Sequence, residues 1–136
     1  MAWTTGDEQA WNLTNPFRQH LGIEIEWVKG KRAEISIPIT ENLIQAYGMV
    51  HGGIYCVLID TVLGTAVRGG YGFDAKPITS DLNVSFLRPA GIGTLYATAE
   101  MIKTGRQVAV GTGDVRDAEG RLLAIGRGTF LVRTSD

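Results

Sequence analysis

One stretch of this chain, Ile54 to Val67, is apolar on nearly every side, free of proline and long enough for about four helical turns. Everything around it reads differently. A helix without a single apolar stripe has to be surrounded by protein, and the runs flanking it supply the surround. Leu21 to Val28 and Ala33 to Ile39 precede it, and Ile78 to Arg88, Thr94 to Lys103, Gln107 to Asp117 and Arg121 to Arg133 follow, all alternating with period two. Short turns at Gly30-Lys31, Pro89 to Gly91, Gly105-Arg106 and Asp117 to Gly120 favour antiparallel neighbours. Pro38 confines the second strand to an edge or an end. Ala124, Gly126 and Gly128 make one face of the last strand small enough for a bulky helix to nest against, with Ile125 and Leu131 on the other face. The order β-β-α-β-β-β-β predicts an α+β fold, a curved antiparallel sheet wrapped around one long central helix that ends at Gly69-Gly-Tyr-Gly72.

At 136 residues the chain is one domain. Residues 1–14 read as a lead segment, loose or a short helix, and residues 15–136 as the domain. Asn15-Pro16 is a cap and first-turn pair opening a short helix through about His20. The segment Glu41 to Val50 reads as a loop or a short helical turn.

A formal net charge of −1, with no basic run, argues against a nucleic-acid or anionic-membrane partner. The start of the chain has no basic cluster followed by an apolar run, so no signal peptide or anchor is expected. The single cysteine, Cys56, can form no internal disulfide; it reads as core packing in a reducing, cytoplasmic setting. With only His20 and His51, and no Gly-x-Ser-x-Gly elbow, a serine triad has little material. Neither histidine has a helical His partner, so no metal site is expected. Gly111 to Arg116 lacks the third glycine of a dinucleotide loop.

The chemistry gathers at the central helix. His51-Gly52-Gly53 opens it with bare backbone N–H groups, suited to an oxygen that acquires negative charge. Asp60 sits in its middle among Val57, Leu58, Ile59 and Leu63. Burying an ionised carboxylate costs several kcal/mol unless it is paired or its pKa rises, so an apolar shell that turns Asp60 into a better base is expected. Gly52 and Asp60 are eight residues apart, about 12 Å along the axis. Asp60 therefore cannot reach its own helix start. If both act on one substrate, the acid comes from a second, antiparallel copy of the helix, which predicts a symmetric dimer with two composite sites. Gly64 would let the two helices approach closely.

Several segments together resemble a known family: Asn15-Pro-Phe17, Leu21-Gly-Ile-Glu24, Val50-His-Gly-Gly53, Leu58-Ile-Asp60, Asp81 to Pro89 and Gly126-Arg-Gly-Thr-Phe130. They look like the hotdog-fold acyl-CoA thioesterases of the phenylacetate-degradation and hydroxybenzoyl-CoA type. The resemblance runs from about Asn15 to the C-terminus. It implies a hotdog homodimer, often doubled to a homotetramer, that hydrolyses an acyl-CoA and needs no cofactor, coenzyme A being part of the substrate.

Carried over by position, the resemblance gives Gly52 the N–H that holds the thioester carbonyl, and gives Asp60 of the partner subunit the role of general base or of nucleophile. Gln45 matches a position contacting the water or the thioester, and Thr79 a hydroxyl lining the same site. His51 holds the loop by hydrogen bonding, and Gly53 follows it in the same turn. Tyr47, Met49, Tyr55 and the Gly69 to Phe73 segment would line the acyl pocket, while Arg88, Lys103, Arg106 and Arg127 are candidates for the coenzyme A phosphates. Two other functions suit the fold: a hydratase or dehydratase, whose His-Phe-Pro run is absent from this sequence, and a non-catalytic acyl-CoA-binding dimer, which would not need Asp60.

Overall fold

The computed structural model describes residues 3–133; the first two residues of the lead segment and the last three of the domain lie outside the described residues. The lead segment is helical. Helix α1 (Thr5–Leu13) is fixed by a capping box in which Thr4 Oγ1 accepts from the Asp7 N–H and the Asp7 carboxylate accepts from the Thr4 N–H. Helix α2 (Pro16–Leu21) starts at Asn15, whose side chain accepts from the Arg18 N–H, and stops at Gly22, with φ of 76°. That stop displaces the first strand: β1 is Glu24–Lys29 and does not begin at Leu21.

Strand β2 (Arg32–Ile39) and a 3-10 turn (Glu41–Leu43) lead to the long helix α3 (Gly52–Tyr71). Then come β3 (Lys76–Phe86), β4 (Gly93–Thr104), β5 (Val108–Asp117) and β6 (Leu122–Arg133). All pairings are antiparallel, in one sheet of order β1-β2-β4-β5-β6-β3. The expected curved sheet around one central helix is what the chain adopts. Pro38 lies at the end of β2, beyond the last residue paired with β1.

One expectation is corrected. The short Pro89 to Gly91 connection does not make β3 and β4 neighbours: both edges of β4 are taken by β2 and β5, so β3 crosses to the far edge and pairs with β6. The helix α3 ends within the Gly69 to Gly72 stretch, at its last glycine, with Tyr71 the final helical residue. Gly69 is there for proximity. A Cβ on it would fall 2.2 Å from the Gly30 carbonyl oxygen, so only glycine lets α3 press against the β1–β2 turn.

The core lies between α3 and the inner face of the sheet. Leu58, Ile59, Val62, Leu63 and Ala66 are fully buried against Ile35, Ile37, Ala97 and Ala124. The small face of β6 works as anticipated: a Cβ on Gly126 would sit 2.7 Å from Ile59 Cγ2, and one on Gly128 2.9 Å from Leu63 Cδ1. Each bulky helix residue thus fills the space left by a missing side chain. Ile125 and Leu131 point the other way and are exposed.

Candidate active site

The start of α3 is built by its own cap. His51 has extended backbone (φ −62°, ψ 130°), and its Nδ1 accepts from the Gly53 N–H at 3.0 Å, while Ile54 N–H donates to the His51 carbonyl. Gly53 is therefore already engaged. The Gly52 N–H has no acceptor among the described residues, leaving one free amide at the positive end of a 20-residue helix. Beside it lies the Phe86 ring, whose Cε1 would be 3.5 Å from a Cβ on Gly52.

The preceding loop is tied to the same place. His51 N–H donates to the Leu43 carbonyl, Val50 N–H to the Ala90 carbonyl, and Gln45 and Gly48 close a tight turn. The side-chain oxygen of Gln45 accepts from the Tyr47 N–H at 2.8 Å. That bond fixes the Gln45 carboxamide and leaves its NH₂ group unengaged among the described residues. Tyr47 and Met49 are exposed on the loop.

Asp60 is two turns further along α3. Its expected apolar shell does not exist within one subunit: Leu58, Ile59 and Leu63 face the sheet, while Asp60 shares with Cys56, Val57, Thr61, Gly64 and Arg68 a half-buried stripe that the sheet leaves open. Helical rotation explains this. Residues 57, 60, 64 and 68 lie three or four apart on one face, and the apolar neighbours in sequence lie on another. Cys56 is accordingly half-buried on the open side and is not a core residue.

Thr79 Oγ1 donates to Asp60 Oδ1 at 2.6 Å. The family resemblance implies both in one site, and a bulge in β3 arranges them. In the β3–β6 ladder Thr79 faces Phe130 and Asp81 faces Thr129, so Ser80 is extra. The bulge re-aims the strand at the residue next to the carboxylate. The contact itself rests on a single hydroxyl.

From this pair a groove of about 610 Å³ runs along the open face of α3, between the helix and the segment Phe73 to Thr79. At its far end Arg68 Nε donates to the Phe73 carbonyl at 2.8 Å. Arg18 lies in the same groove with its guanidinium stacked 3.7 Å from the centre of the Trp11 ring, and Nη2 donates to the Trp11 carbonyl. Burial, with the neighbouring charge of Arg68 second, lowers the Arg18 pKa to about 10; burial also lowers that of Arg68, against the opposing pull of Asp74 and Asp7.

The remaining candidates are scattered. Tyr55 is a core residue whose hydroxyl donates to the Arg88 carbonyl at 2.8 Å, so it braces the end of β3 and does not line an acyl pocket; burial, then the Asp117 charge, raises its pKa. The segment Gly69 to Tyr71 is helix, not an opening loop, and only Phe73 beyond it reaches the groove. Arg127 lies on the outer face of the sheet beside Arg32 and Asp114, Lys103 and Arg106 at the β4–β5 turn, and Arg88 just past β3. Among the described residues there is no cluster of three or more His, Cys, Asp or Glu able to hold a metal ion. No helix of the described residues is long and apolar enough to cross a membrane.

Known proteins share this fold. The thioesterase superfamily matches residues 47–124, from the loop before Gly52 to the start of the core strand β6. An esterase candidate of Halobacterium salinarum is 39% identical over 130 residues, covering 85% of this chain and 83% of that one. A 1,4-dihydroxy-2-naphthoyl-CoA hydrolase of Listeria monocytogenes is 28% identical, covering 85% of this chain and 94% of its own. Among solved structures, a thioesterase from Haemophilus influenzae is 28% identical and superposes with a TM-score of 0.87 over 98% of this chain and 93% of the other.

Proposed function

The chain belongs to the thioesterase superfamily and is a thioester hydrolase, and on that premise we propose that it cleaves an acyl-CoA in a site shared between two copies of itself. The carrying observation is the division of labour along one helix: a free Gly52 N–H at its start, and the Asp60–Thr79 pair eight residues on. These are about 12 Å apart along one axis and so serve different sites unless a second copy intervenes.

A second copy has a surface to use. The open stripe of α3 holds Val57 and Gly64 beside Asp60, and the adjoining edge strand β3 exposes Ile78 (50%) and Phe86 (56%). Apolar exposure along an unpaired strand edge is a surface that soluble chains normally cover. Two copies with α3 antiparallel across a two-fold axis would set each Gly52 beside Asp60 of the partner subunit.

In that arrangement the thioester carbonyl oxygen, which gains charge as it is attacked, takes the Gly52 N–H. Asp60 takes the proton of the attacking water, or itself attacks to give an anhydride that water opens. By the first route one C–O bond forms as the C–S bond breaks; by the second the Asp60–acyl C–O bond forms as the C–S bond breaks and is itself broken when water adds to the acyl carbon. Either way the oxygen of water stays on the acid, and a proton ends on the thiolate of coenzyme A. Gln45, whose NH₂ group is unengaged among the described residues, would hold the water or the thioester oxygen. Thr79 fixes the orientation of the carboxylate. Tyr47 and Met49 would border the entrance and Arg88 would meet a phosphate.

Thiol release from acyl-CoAs by mixed dimers tests this reading. Gly52→Pro removes the amide N–H at the first helical position, where proline is tolerated, and the extended backbone of His51 suits the residue before a proline. Random mixing of Gly52→Pro and Asp60→Asn subunits, each inactive alone, should restore about a quarter of wild-type activity, because half the dimers carry one intact composite site of two. Mixtures no more active than their parents would refute the shared site.

A further inference from the structure

The groove has two chemically different ends. The chain itself defines them: Thr79 reaches Asp60 at one, and Arg68 reaches the Phe73 carbonyl at the other, because the segment after α3 runs back along the helix. Asp60 and Arg68 are two turns apart, about 12 Å, with Thr61, Gly64 and Thr65 between them. If Asp60 works on the thioester carbonyl, the acyl group lies along this trough and its far end meets the arginines.

That end is cationic. Arg18, Arg68 and Lys76 line it with Asp74, and Asp7 also acts on Arg68, yet neither arginine is ion-paired within 4.0 Å among the described residues. Arg18 Nε is sealed from the groove, but among the described residues Arg18 donates only through Nη2 and Arg68 only through Nε, so Arg18 Nη1 and both Arg68 Nη nitrogens are left for an acceptor supplied from outside. Burial lowers the pKa of both arginines, and at Arg68 the charges of Asp74 and Asp7 do not fully offset it.

We infer that the enzyme prefers acyl groups ending in a carboxylate, with Arg18 and Arg68 gripping that carboxylate at the end of the groove remote from Asp60. The inference rests on the placement of the acyl group given under the proposed function. A neutral alkyl or aryl end would leave these terminal guanidinium N–H groups unmatched, whereas a planar carboxylate offers the acceptors a guanidinium takes best.

Adipyl-CoA and heptanoyl-CoA differ only in a terminal carboxylate against a methyl-bearing end of equal length. Wild-type enzyme should favour adipyl-CoA by about tenfold or more in kcat/KM, the worth of one charge-assisted bond. Arg18→Gln and Arg68→Gln should each bring that ratio towards one, and Arg18→Lys should keep more of it than Arg18→Gln. A wild-type ratio near one, or variants that lose both substrates equally, would overturn the inference and leave the arginines as braces for α1 and α2. Free adipate gives a readout that needs no turnover: Arg18 stacks on Trp11 and Arg68 lies 5.4 Å from the Trp3 ring, so saturable binding should change tryptophan fluorescence. No fluorescence change with adipate would count against the arginine site even if no acyl-CoA were hydrolysed, a result that would by itself refute only the proposed function.

Discussion

The two faces of α3 obey different rules. Towards the sheet, Leu58, Ile59, Val62, Leu63 and Ala66 are excluded from water and matched to strand positions so closely that Gly126 and Gly128 must lack side chains. Towards the outside, Cys56, Val57, Asp60, Gly64 and Arg68 are half-buried, polar and apolar alternate, and a Cβ on Gly64 would find Pro77 no nearer than 3.8 Å. The first face is complete within one subunit. The second has room, unmatched charge and a carboxylate with one hydrogen-bond donor. One helix thus carries the fold on one side and the proposed chemistry on the other, and substitutions should separate the two.

The widest separation is expected at Asp60. Asp60→Asn should lower thioester turnover by about 10² to 10⁴, the usual contribution of a positioned base, while leaving the melting temperature near wild type. Steady-state thiol release beside calorimetry checks both halves; unchanged turnover would remove Asp60 from the mechanism. Leu63→Ala, one turn away but facing the sheet, should do the reverse and destabilise by about 2–5 kcal/mol in urea titrations. Gly126→Ala brings a methyl into Ile59 and should cost about 1–3 kcal/mol by the same measurement. The same change at Gly64 meets only ordinary contacts within one subunit, where helix propensity alone would favour alanine by about 1 kcal/mol. With each Gly52 beside Asp60 of the partner subunit, the partner helix begins at Asp60 and Gly64 lies beyond it in the proposed acyl trough, so Gly64→Ala should instead raise KM for acyl-CoA in thiol-release assays. An unchanged KM would show that the acyl group does not lie over that residue.

The sheet-facing half of this contrast was legible in the sequence, because burial leaves a periodic trace. Strand alternation, the apolar helix and the small face of β6 are all consequences of which side chains can touch in the core. The open half was legible only where residue type is scarce: a lone acid in an apolar run, and glycines at a helix start. Its surroundings were misjudged, since Leu58, Ile59 and Leu63 flank Asp60 in sequence and yet point elsewhere. The destination of β3 was also hidden. A short connection suggests a hairpin, and only the occupancy of both edges of β4 forbids one. The arginine pair escaped notice because Arg18 and Arg68 are fifty residues apart and belong to different elements.

The crossing of β3 has a bearing on the order of assembly. The wall that supplies Thr79 is held by β6, with Lys76 opposite Arg133 and Thr79 opposite Phe130. As the ribosome delivers the chain, Asp60 emerges early but has no hydroxyl partner fixed beside it until the final strand has left the exit tunnel. In the proposed mechanism competence therefore arrives last, because the carboxylate and the hydroxyl meet only when β6 has paired with β3.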